Sequence, residues 1–233
     1  GDSSYLFSTK EFKVFDFAVK FRVHQNTLDD VDNVMSRIET IGVDRLMSKI
    51  DYYVLGSAGD NSATPYGILN AGYFTAYDTT LRAGEVVTAN IVNVIKNGVL
   101  QARKLNRSVD TVLLNSSDAA EIEDLKDANS NTVALAGIRL DATGKLAYIY
   151  GLRVLINDKV TTNTFVLCNY AESIQFGIRE DMGVRMGYDQ TTDFSKKIVT
   201  IQIEARLAIG IGHAETIIYC SNIAAAATAL SVV

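Results

Sequence analysis

The chain has 233 residues, of which 48% are hydrophobic and 21% charged. This composition excludes an intrinsically disordered protein and is sufficient for one large core or two smaller ones. The net charge of −5 argues against a dedicated nucleic-acid-binding protein, because neutralising phosphates requires clustered Lys and Arg. No run of about 18 apolar residues is present, so no membrane-spanning segment is predicted.

Residues 11–24 form the first predicted strand, because apolar and polar side chains alternate along them. Apolar residues occupy one side: Phe15, Phe17, Val19, Phe21 and Val23. The other side is mostly polar: Asp16, Ala18, Lys20, Arg22 and His24. This period of two predicts a strand with one buried and one exposed face.

A long amphipathic helix is predicted to follow, from Thr27 to about Leu55. Thr27 and Asp30 have the spacing of a capping box. An apolar stripe at spacings of mostly three and four supports the helix: Val31, Met35, Ile38, Ile41, Leu46, Ile50 and Val54. A glycine-rich loop comes next, and residues 85–105 predict a second helix in which Gly98 is a weak point.

Shorter elements follow from about residue 108. The pattern predicts strands at 110–115, 151–158 and 164–170, a helix at 116–127, and a strand–turn–strand at 140–150. We predict a compact α+β subdomain here.

The stretch DFSKKIVTIQIEARLAI, residues 193–209, predicts an unusually long strand. One side is apolar: Val199, Ile201, Ile203, Ala205, Leu207 and Ile209. The other side is polar: Lys196, Thr200, Gln202, Glu204 and Arg206.

The sequence contains no clear catalytic, metal or cofactor motif, so no cofactor and no enzymatic activity are predicted. His24 and His213 lack a ligand partner at metal-site spacing. Cys168 and Cys220 are expected to be buried, reduced hydrophobic residues, and a disulfide between them is the weaker alternative. The carboxylates cluster in helix caps and solvated helix faces: Asp29, Asp30, Asp32, Glu121, Glu123, Asp124 and Asp127. An anion site remains a weaker alternative, built from Arg139, Gly144, Arg153, Arg179 and Arg185.

The polar faces of the two long strands carry mixed charges, which allows two interpretations. They are either solvated sheet surface or a lateral contact surface on which alternating charges set the register between like subunits. The candidate interface residues are Lys20, Arg22, Lys196, Gln202, Glu204 and Arg206.

The order of these segments resembles the major capsid proteins of tailed bacteriophages, which share the Hong Kong 97 fold. The matching segments are TLDDVDNVM, GSAGDNSATPYGILN, TAYDTT, DTVLLNSSDAAEIEDLKD, GLRVLIND, TFVLCNYAESIQFGIRED, DFSKKIVTIQIEARLAI and AETII. The resemblance covers roughly residues 10–220. It implies an α+β capsid fold with a long spine helix and long strands.

The resemblance also implies a division into domains. Residues 1–27 would be the base of an extended hairpin loop, 28–106 and 191–220 a peripheral domain, 107–190 an axial domain, and 221–233 a C-terminal tail. Relative to the family, the chain is expected to be N-terminally truncated, without the N-terminal arm and the loop tip, and therefore not to close into shells alone. Some family members cross-link a loop Lys to an Asn of the long strand. Lys197 stands where that Asn would align, so no such cross-link is expected.

The implied function is that of a structural subunit of a phage or prophage capsid, found in the virion and in the host cytoplasm during assembly. Pentamers and hexamers of the full-length protein would enclose DNA without sequence-specific binding. Two alternatives stay open on the sequence: an encapsulin-like nanocompartment shell, and a small-ligand or enzymatic α+β domain.

Overall fold

The computed structural model describes residues 11–30, 33–56, 59–125, 137–189 and 193–232. These residues fall into two compact units. Unit 1 draws on residues 1–54, 59–66 and 176–210, and unit 2 on residues 55–58, 67–175 and 211–233. Val31, Asp32, Asp127 and residues 1–10 of the predicted loop base lie outside the described residues.

The regular elements alternate between strands and helices along the chain. The strands are β1 (Phe15–His24), β2 (Thr75–Ala76), β3 (Thr111–Leu114), β4 (Ile138–Leu140), β5 (Leu146–Ile149), β6 (Leu152–Ile156), β7 (Phe165–Cys168), β8 (Ile174–Gly187), β9 (Ile198–Ile211) and β10 (Ile217–Cys220). The helices are α1 (Gln25–Asp30), α2 (Val34–Val54), α3 (Ile91–Lys104), α4 (Ser116–Glu123), α5 (Tyr170–Ser173) and α6 (Ile223–Leu230). The mixed content confirms the predicted α+β class.

Unit 1 contains a three-stranded sheet in the order β1-β9-β8, against which α2 packs through β1. β1 and β9 are antiparallel, with Phe17 opposite Ala205 and Phe21 opposite Ile201. The predicted apolar face of the long strand is buried from Ile201 to Ile209, with Ile201 and Ile203 fully so, and Val199 is half-buried. That burial confirms the alternation that predicts β9.

The predicted single helix from Thr27 to Leu55 is wrong at its start. The structure has two helices, and Thr27 lies inside the short α1 instead of capping the long one. Asn33 separates them with a φ of 68°, a left-handed conformation that a right-handed helix does not accommodate. Ile41 is 46% exposed, while Gly42 is buried in its place. The buried side of α2 therefore includes Gly42 instead of Ile41, because the helix contacts the sheet at the glycine.

Unit 2 is built on a seven-stranded sheet in the order β2-β10-β7-β3-β6-β5-β4. β10 pairs with β2, and β3 with β6, in parallel, and the remaining neighbours are antiparallel. Its core brings apolar residues of α3, α4 and α6 together with residues of the sheet, among them Ile95, Ile122, Phe165 and Leu230. The C-terminal segment is therefore docked into the core.

Helix α3 starts at Ile91, six residues later than predicted, because Asn90 caps it with a side-chain oxygen that accepts from the Asn93 amide. Two buried carboxamides one helical turn apart face inward from α3. Gln101 accepts from the Asp78 amide at 2.9 Å and donates to the Ala76 carbonyl at 2.8 Å. Asn97 donates to the Asp78 carbonyl at 3.1 Å. These bonds fix the extended segment 76–78 along the helix.

The cysteines are free and buried, as expected. Helix α4 ends at Glu123, short of the predicted end at residue 127.

Residues 67–106 belong to unit 2, whereas the prediction groups them with the long helix. Their assignment to a peripheral or an axial domain stays a prediction.

Candidate subunit interface

The polar face of the unit 1 sheet carries most of the candidate interface residues. In the register of β1 and β9, Lys20 lies opposite Gln202 and Arg22 opposite Thr200. Residues directly opposite each other in an antiparallel pair share a face of the sheet. The structure therefore brings Lys20, Arg22, Gln202, Glu204 and Arg206 onto one face, as the alternation predicts.

Glu204 lies at the centre of this face and is bonded within the chain. Its Oε1 lies 2.6 Å from the Arg185 Nε of β8. Its Oε2 accepts from the Gln202 side-chain Nε2 at 2.5 Å. The Glu204 side chain is 20% exposed and that of Arg185 71% exposed, so the carboxylate is partly covered by the outer strand.

Arg206 bridges all three strands. Its Nε lies 2.5 Å from the Asp16 Oδ1 on β1, and another guanidinium nitrogen lies 3.0 Å from the Glu180 Oε1 on β8. Hydrogen bonding to Glu180 and then to Asp16 raises the pKa of Arg206 above its ordinary value. The Arg206 side chain therefore connects the three strands through ion pairs, although its exposure to solvent keeps each pair weak.

The two basic residues of β1 are also paired. Lys20 Nζ lies 3.3 Å from the Asp189 carboxylate, and Arg22 pairs with the buried carboxylate of Asp193. All four charged candidates on the strands thus have carboxylate or guanidinium partners in their own unit. The face is consequently less free to attract an oppositely charged neighbour than the sequence suggests.

Lys196 and Lys197 lie in the segment before β9, and both are exposed. Lys196 is therefore not part of the strand face, because β9 begins only at Ile198. Lys197 adopts a φ of 53°, and its carbonyl accepts from the Gln25 amide at 2.8 Å.

Sequence reasoning missed the internal partners of this face: Asp16, Glu180, Arg185, Asp189 and Asp193. Glu180 and Arg185 are an odd number of positions apart on β8, so a period of two assigns them to opposite faces. Both nevertheless reach residues of the same face of β9. The alternation of β8 could therefore have revealed only one of them.

The outer strand β8 has a second property, which concerns its apolar side chains. Among the strands that the structure describes, it forms an edge of the sheet, and it exposes a row of large apolar side chains. They are Phe176, Ile178, Met182, Val184 and Met186, together with Tyr188 directly after the strand, and they are between 37% and 70% exposed. Long apolar edge strands are normally covered, because their free backbone groups and side chains favour pairing with another chain.

A shallow groove of about 260 Å³ lies on the polar face. One wall is formed by residues 185–189, at the end of β8 and directly after it, and the other by Thr200, Gln202 and Glu204 of β9. The Thr200 hydroxyl is buried without a hydrogen-bond partner.

Within the ranges that the structure describes, no three His, Cys, Asp or Glu side chains are grouped to bind a metal ion. The same ranges contain no helix with the length and apolar character of a membrane span.

The five residues of the alternative anion site fall in different units. Arg139, Gly144 and Arg153 belong to unit 2, and Arg179 and Arg185 belong to β8 of unit 1. Arg185 is already paired with Glu204. The structure therefore does not describe that set as one site.

Solved structures with a similar fold come from phages and from the capsid of a GTA particle. A chain of Microbacterium phage Oxtober96 matches with 16% identity and a TM-score of 0.65, covering 91% of this chain and 69% of that one. A chain of Gordonia phage Cozz matches with 12% identity and a TM-score of 0.68, covering 94% and 77%. A chain described as the capsid of an empty GTA particle matches with 16% identity and a TM-score of 0.65, covering 94% and 79%. No curated protein matches the chain in sequence.

At these identities the structures establish the fold. The sequence pattern of the phage capsid family matches residues 2–222, which is nearly the whole chain. The chain therefore belongs to the phage capsid family, as a structural subunit of the capsid.

Proposed function

We propose that this protein forms the shell of a phage capsid by lateral association of many copies, and that the outer strand β8 is one surface through which copies meet. The observation that carries the proposal is the row of exposed apolar side chains along this edge strand, five on β8 itself and the sixth, Tyr188, directly after it. Burying apolar area is the main favourable term in association. A second copy is the occupant to expect, because family members build shells from repeated subunits.

The charged face next to β8 has a different role in this proposal. Its ion pairs are made within the chain, so it adds little attraction of its own. Their fixed arrangement instead penalises a neighbour that docks out of register, since misplaced like charges repel. Lys20, Arg22, Gln202, Glu204 and Arg206 therefore set the register, with the exposed Lys196 just before β9 beside them, and β8 supplies the apolar contact.

The remaining parts of the proposal follow from family membership. The shell is made of pentamers and hexamers, encloses DNA without sequence-specific binding, and assembles in the host cytoplasm before it becomes part of the virion. Unit 1 corresponds to the peripheral domain and much of unit 2 to the axial domain. The protein acts as a structural component and not as an enzyme. Lys197 forms no cross-link of the Lys–Asn type.

The test is particle formation by the protein expressed from its complete gene, followed by electron microscopy and size-exclusion chromatography. Ile178→Glu combined with Met186→Glu places two carboxylates on the exposed row of β8. We expect particles to be lost while the unfolding transition stays within about 1 kcal/mol of the wild type, because both side chains are already exposed.

The matched control is Val87→Glu combined with Ile156→Glu, which makes the same chemical change at exposed positions of unit 2. Particles should persist in this control. Intact particles of the β8 variant, or equal loss of particles in both variants, would contradict the proposal. Nucleic acid extracted from purified particles would support DNA enclosure, and protein cargo would support a nanocompartment instead.

A further inference from the structure

A concave site lined by basic side chains lies in unit 2. It has a volume of about 420 Å³ and is lined by Arg82, Lys96, Val99, Leu100, Arg103 and Tyr150. Four of these residues occupy successive turns of α3, at spacings of three and four, and so share one side of the helix. Basic residues mark the two ends of this stripe, and Val99 and Leu100 lie between them.

The charges of this site are largely uncompensated. Among the described residues, no carboxylate lies within 4.0 Å of Lys96 or Arg103, and only Arg82 has an ion pair, with Glu85 at 2.9 Å. The chain as a whole has a net charge of −5. A pocket with two cations that no described carboxylate pairs produces, in an acidic protein, a local positive potential that attracts anions.

Tyr150 forms the aromatic wall of the site, and its position is fixed by an unusual backbone. It begins the two-residue turn between β5 and β6, with a φ of 49°, and Gly151 follows with a φ of 82°. Asn or Gly normally occupies such a turn, and a bulky residue in this conformation is strained. The Tyr150 amide donates to the Gly137 carbonyl at 2.6 Å, which holds the strained turn in place.

The tyrosine ring connects two neighbouring cavities. The Lys96 ammonium lies 5.5 Å from the ring centroid, within the range of a cation–π interaction. Tyr150 also lines a second cavity, of about 410 Å³, together with Arg139 and Tyr148. Aromatic surface next to unpaired cations is the combination with which proteins bind nucleotides, by stacking on the base and pairing with the phosphates.

We propose that the site around Lys96, Arg103 and Tyr150 binds the phosphate groups of a nucleotide-bearing ligand, with the base against the tyrosine ring. Lys96 and Arg103 provide the charge, and Val99 and Leu100 provide an apolar floor. The shared chemistry is a nucleoside phosphate, carried either by a free nucleotide or by a single strand of nucleic acid. The proposal does not depend on β8 or on assembly.

Binding can be measured by calorimetry with three probes: tripolyphosphate, ATP and a short single-stranded oligothymidine. We expect ATP and the oligonucleotide to bind, and Lys96→Glu with Arg103→Glu to weaken both at least about tenfold, since charge-assisted contacts to phosphate are the strong ones. Raising the salt from about 50 to about 200 mM should also weaken binding. Tighter binding of the oligonucleotide than of ATP would identify a strand as the source, and the reverse a free nucleotide.

Two variants separate the proposed site from general surface charge. Lys104→Glu with Lys159→Glu produces the same change in net charge at exposed positions outside the pocket, and should leave the affinities within about twofold. Tyr150→Asn relieves the backbone strain while removing the ring, and should weaken ATP more than tripolyphosphate. Absence of binding by all three probes, or equal losses in the two charge variants, would overturn the site. An unchanged ATP affinity in Tyr150→Asn would overturn the role of the ring.

Discussion

Arg185 on the outer strand and Glu204 on the central strand of the unit 1 sheet form an ion pair with 2.6 Å between Nε and Oε1. The pair joins two strands that are far from equivalent, since β8 is almost wholly exposed and β9 mostly buried. From the sequence alone, Glu204 is a candidate for contact with a neighbouring subunit. In the structure its carboxylate is already paired within the chain and connects β8 to the sheet.

This pair allows the two roles of the charged face to be tested separately. Glu204→Lys with Arg206→Glu breaks the contacts to Arg185, Asp16 and Glu180. Exposed pairs contribute about 0.2–1 kcal/mol each, so we expect about 1–2 kcal/mol of lost stability in urea unfolding, a retained fold and impaired particle formation.

The matched variant is the swap of Arg185→Glu with Glu204→Arg, which restores an internal pair of opposite polarity. Its stability should stay within about 0.5 kcal/mol of the wild type. Particle formation should still be impaired if the face sets the register between copies. Normal particles in the swap variant would mean that these charges only stabilise the sheet.

A second prediction concerns Gln101, whose carboxamide bonds to the backbone on both sides of Tyr77. Gln101→Met keeps the size of the side chain but leaves the Asp78 amide and the Ala76 carbonyl unpaired. Each buried polar group left without a partner costs about 1–3 kcal/mol, so we expect a loss of about 2–4 kcal/mol in the free energy of unfolding. Lys104→Met, on an exposed position of the same helix, should change it by less than about 0.5 kcal/mol. A similarly small effect at Gln101 would contradict the structural role of its two hydrogen bonds to the backbone.

These relationships differ in how far they could be read from the sequence. The alternation at 193–209 predicts β9, which the structure finds as Ile198–Ile211, and the apolar spacing predicts most of α2. The break at Asn33 was missed because a single left-handed residue leaves no periodic signal. The partners on β8 were missed because an ion pair between strands depends on pairing that the sequence does not contain. Asn97 and Gln101 did leave a signal, as two carboxamides one turn apart within an apolar stripe.

The buried thiol of Cys168 predicts a loss of stability at alkaline pH. Burial, followed by the negative charge of Asp110, raises its pKa from the ordinary value of 9.0 to about 12. Between these two values the folded form keeps a proton that the unfolded chain releases, so the free energy of unfolding falls as the pH rises from 9 towards 12. Burial likewise raises the pKa of Tyr77 from 10.0 to about 12, which acts in the same direction.

Cys168→Ala isolates the thiol contribution. Relative to this variant, the wild type should lose about 1 kcal/mol between pH 8 and pH 10, measured by urea unfolding at each pH. The variant itself starts lower at pH 8, because it leaves a small cavity. Parallel stability curves of the two proteins across this range would show that the thiol is not desolvated in the folded state.

In the native protein the Cys168 thiol should also react far more slowly with an alkylating reagent than in urea, since only the thiolate is nucleophilic.

The packing of α2 on the sheet depends on Gly42, and the last prediction tests this contact. A Cβ added at Gly42 would lie 2.0 Å from Ile203 Cδ1 and 3.0 Å from Phe21 Cε2. Gly42→Ala gains up to about 1 kcal/mol in helix propensity, but overpacking a core costs about 1–3 kcal/mol. We expect the steric term to win, with a net loss of about 1–2 kcal/mol in urea unfolding.

Ile203→Val removes the Cδ1 atom that the new methyl group would meet, and alone should cost about 0.5–1.5 kcal/mol. In the double variant the methyl group fits the vacated space. The combined loss should therefore be smaller than the sum of the two single losses by at least about 1 kcal/mol. Ser48→Ala, an exposed position of the same helix, controls for propensity and should not destabilise the protein. Additive losses would mean that α2 moves away from β9 to accommodate the methyl group, so that Gly42 does not set the distance between helix and sheet.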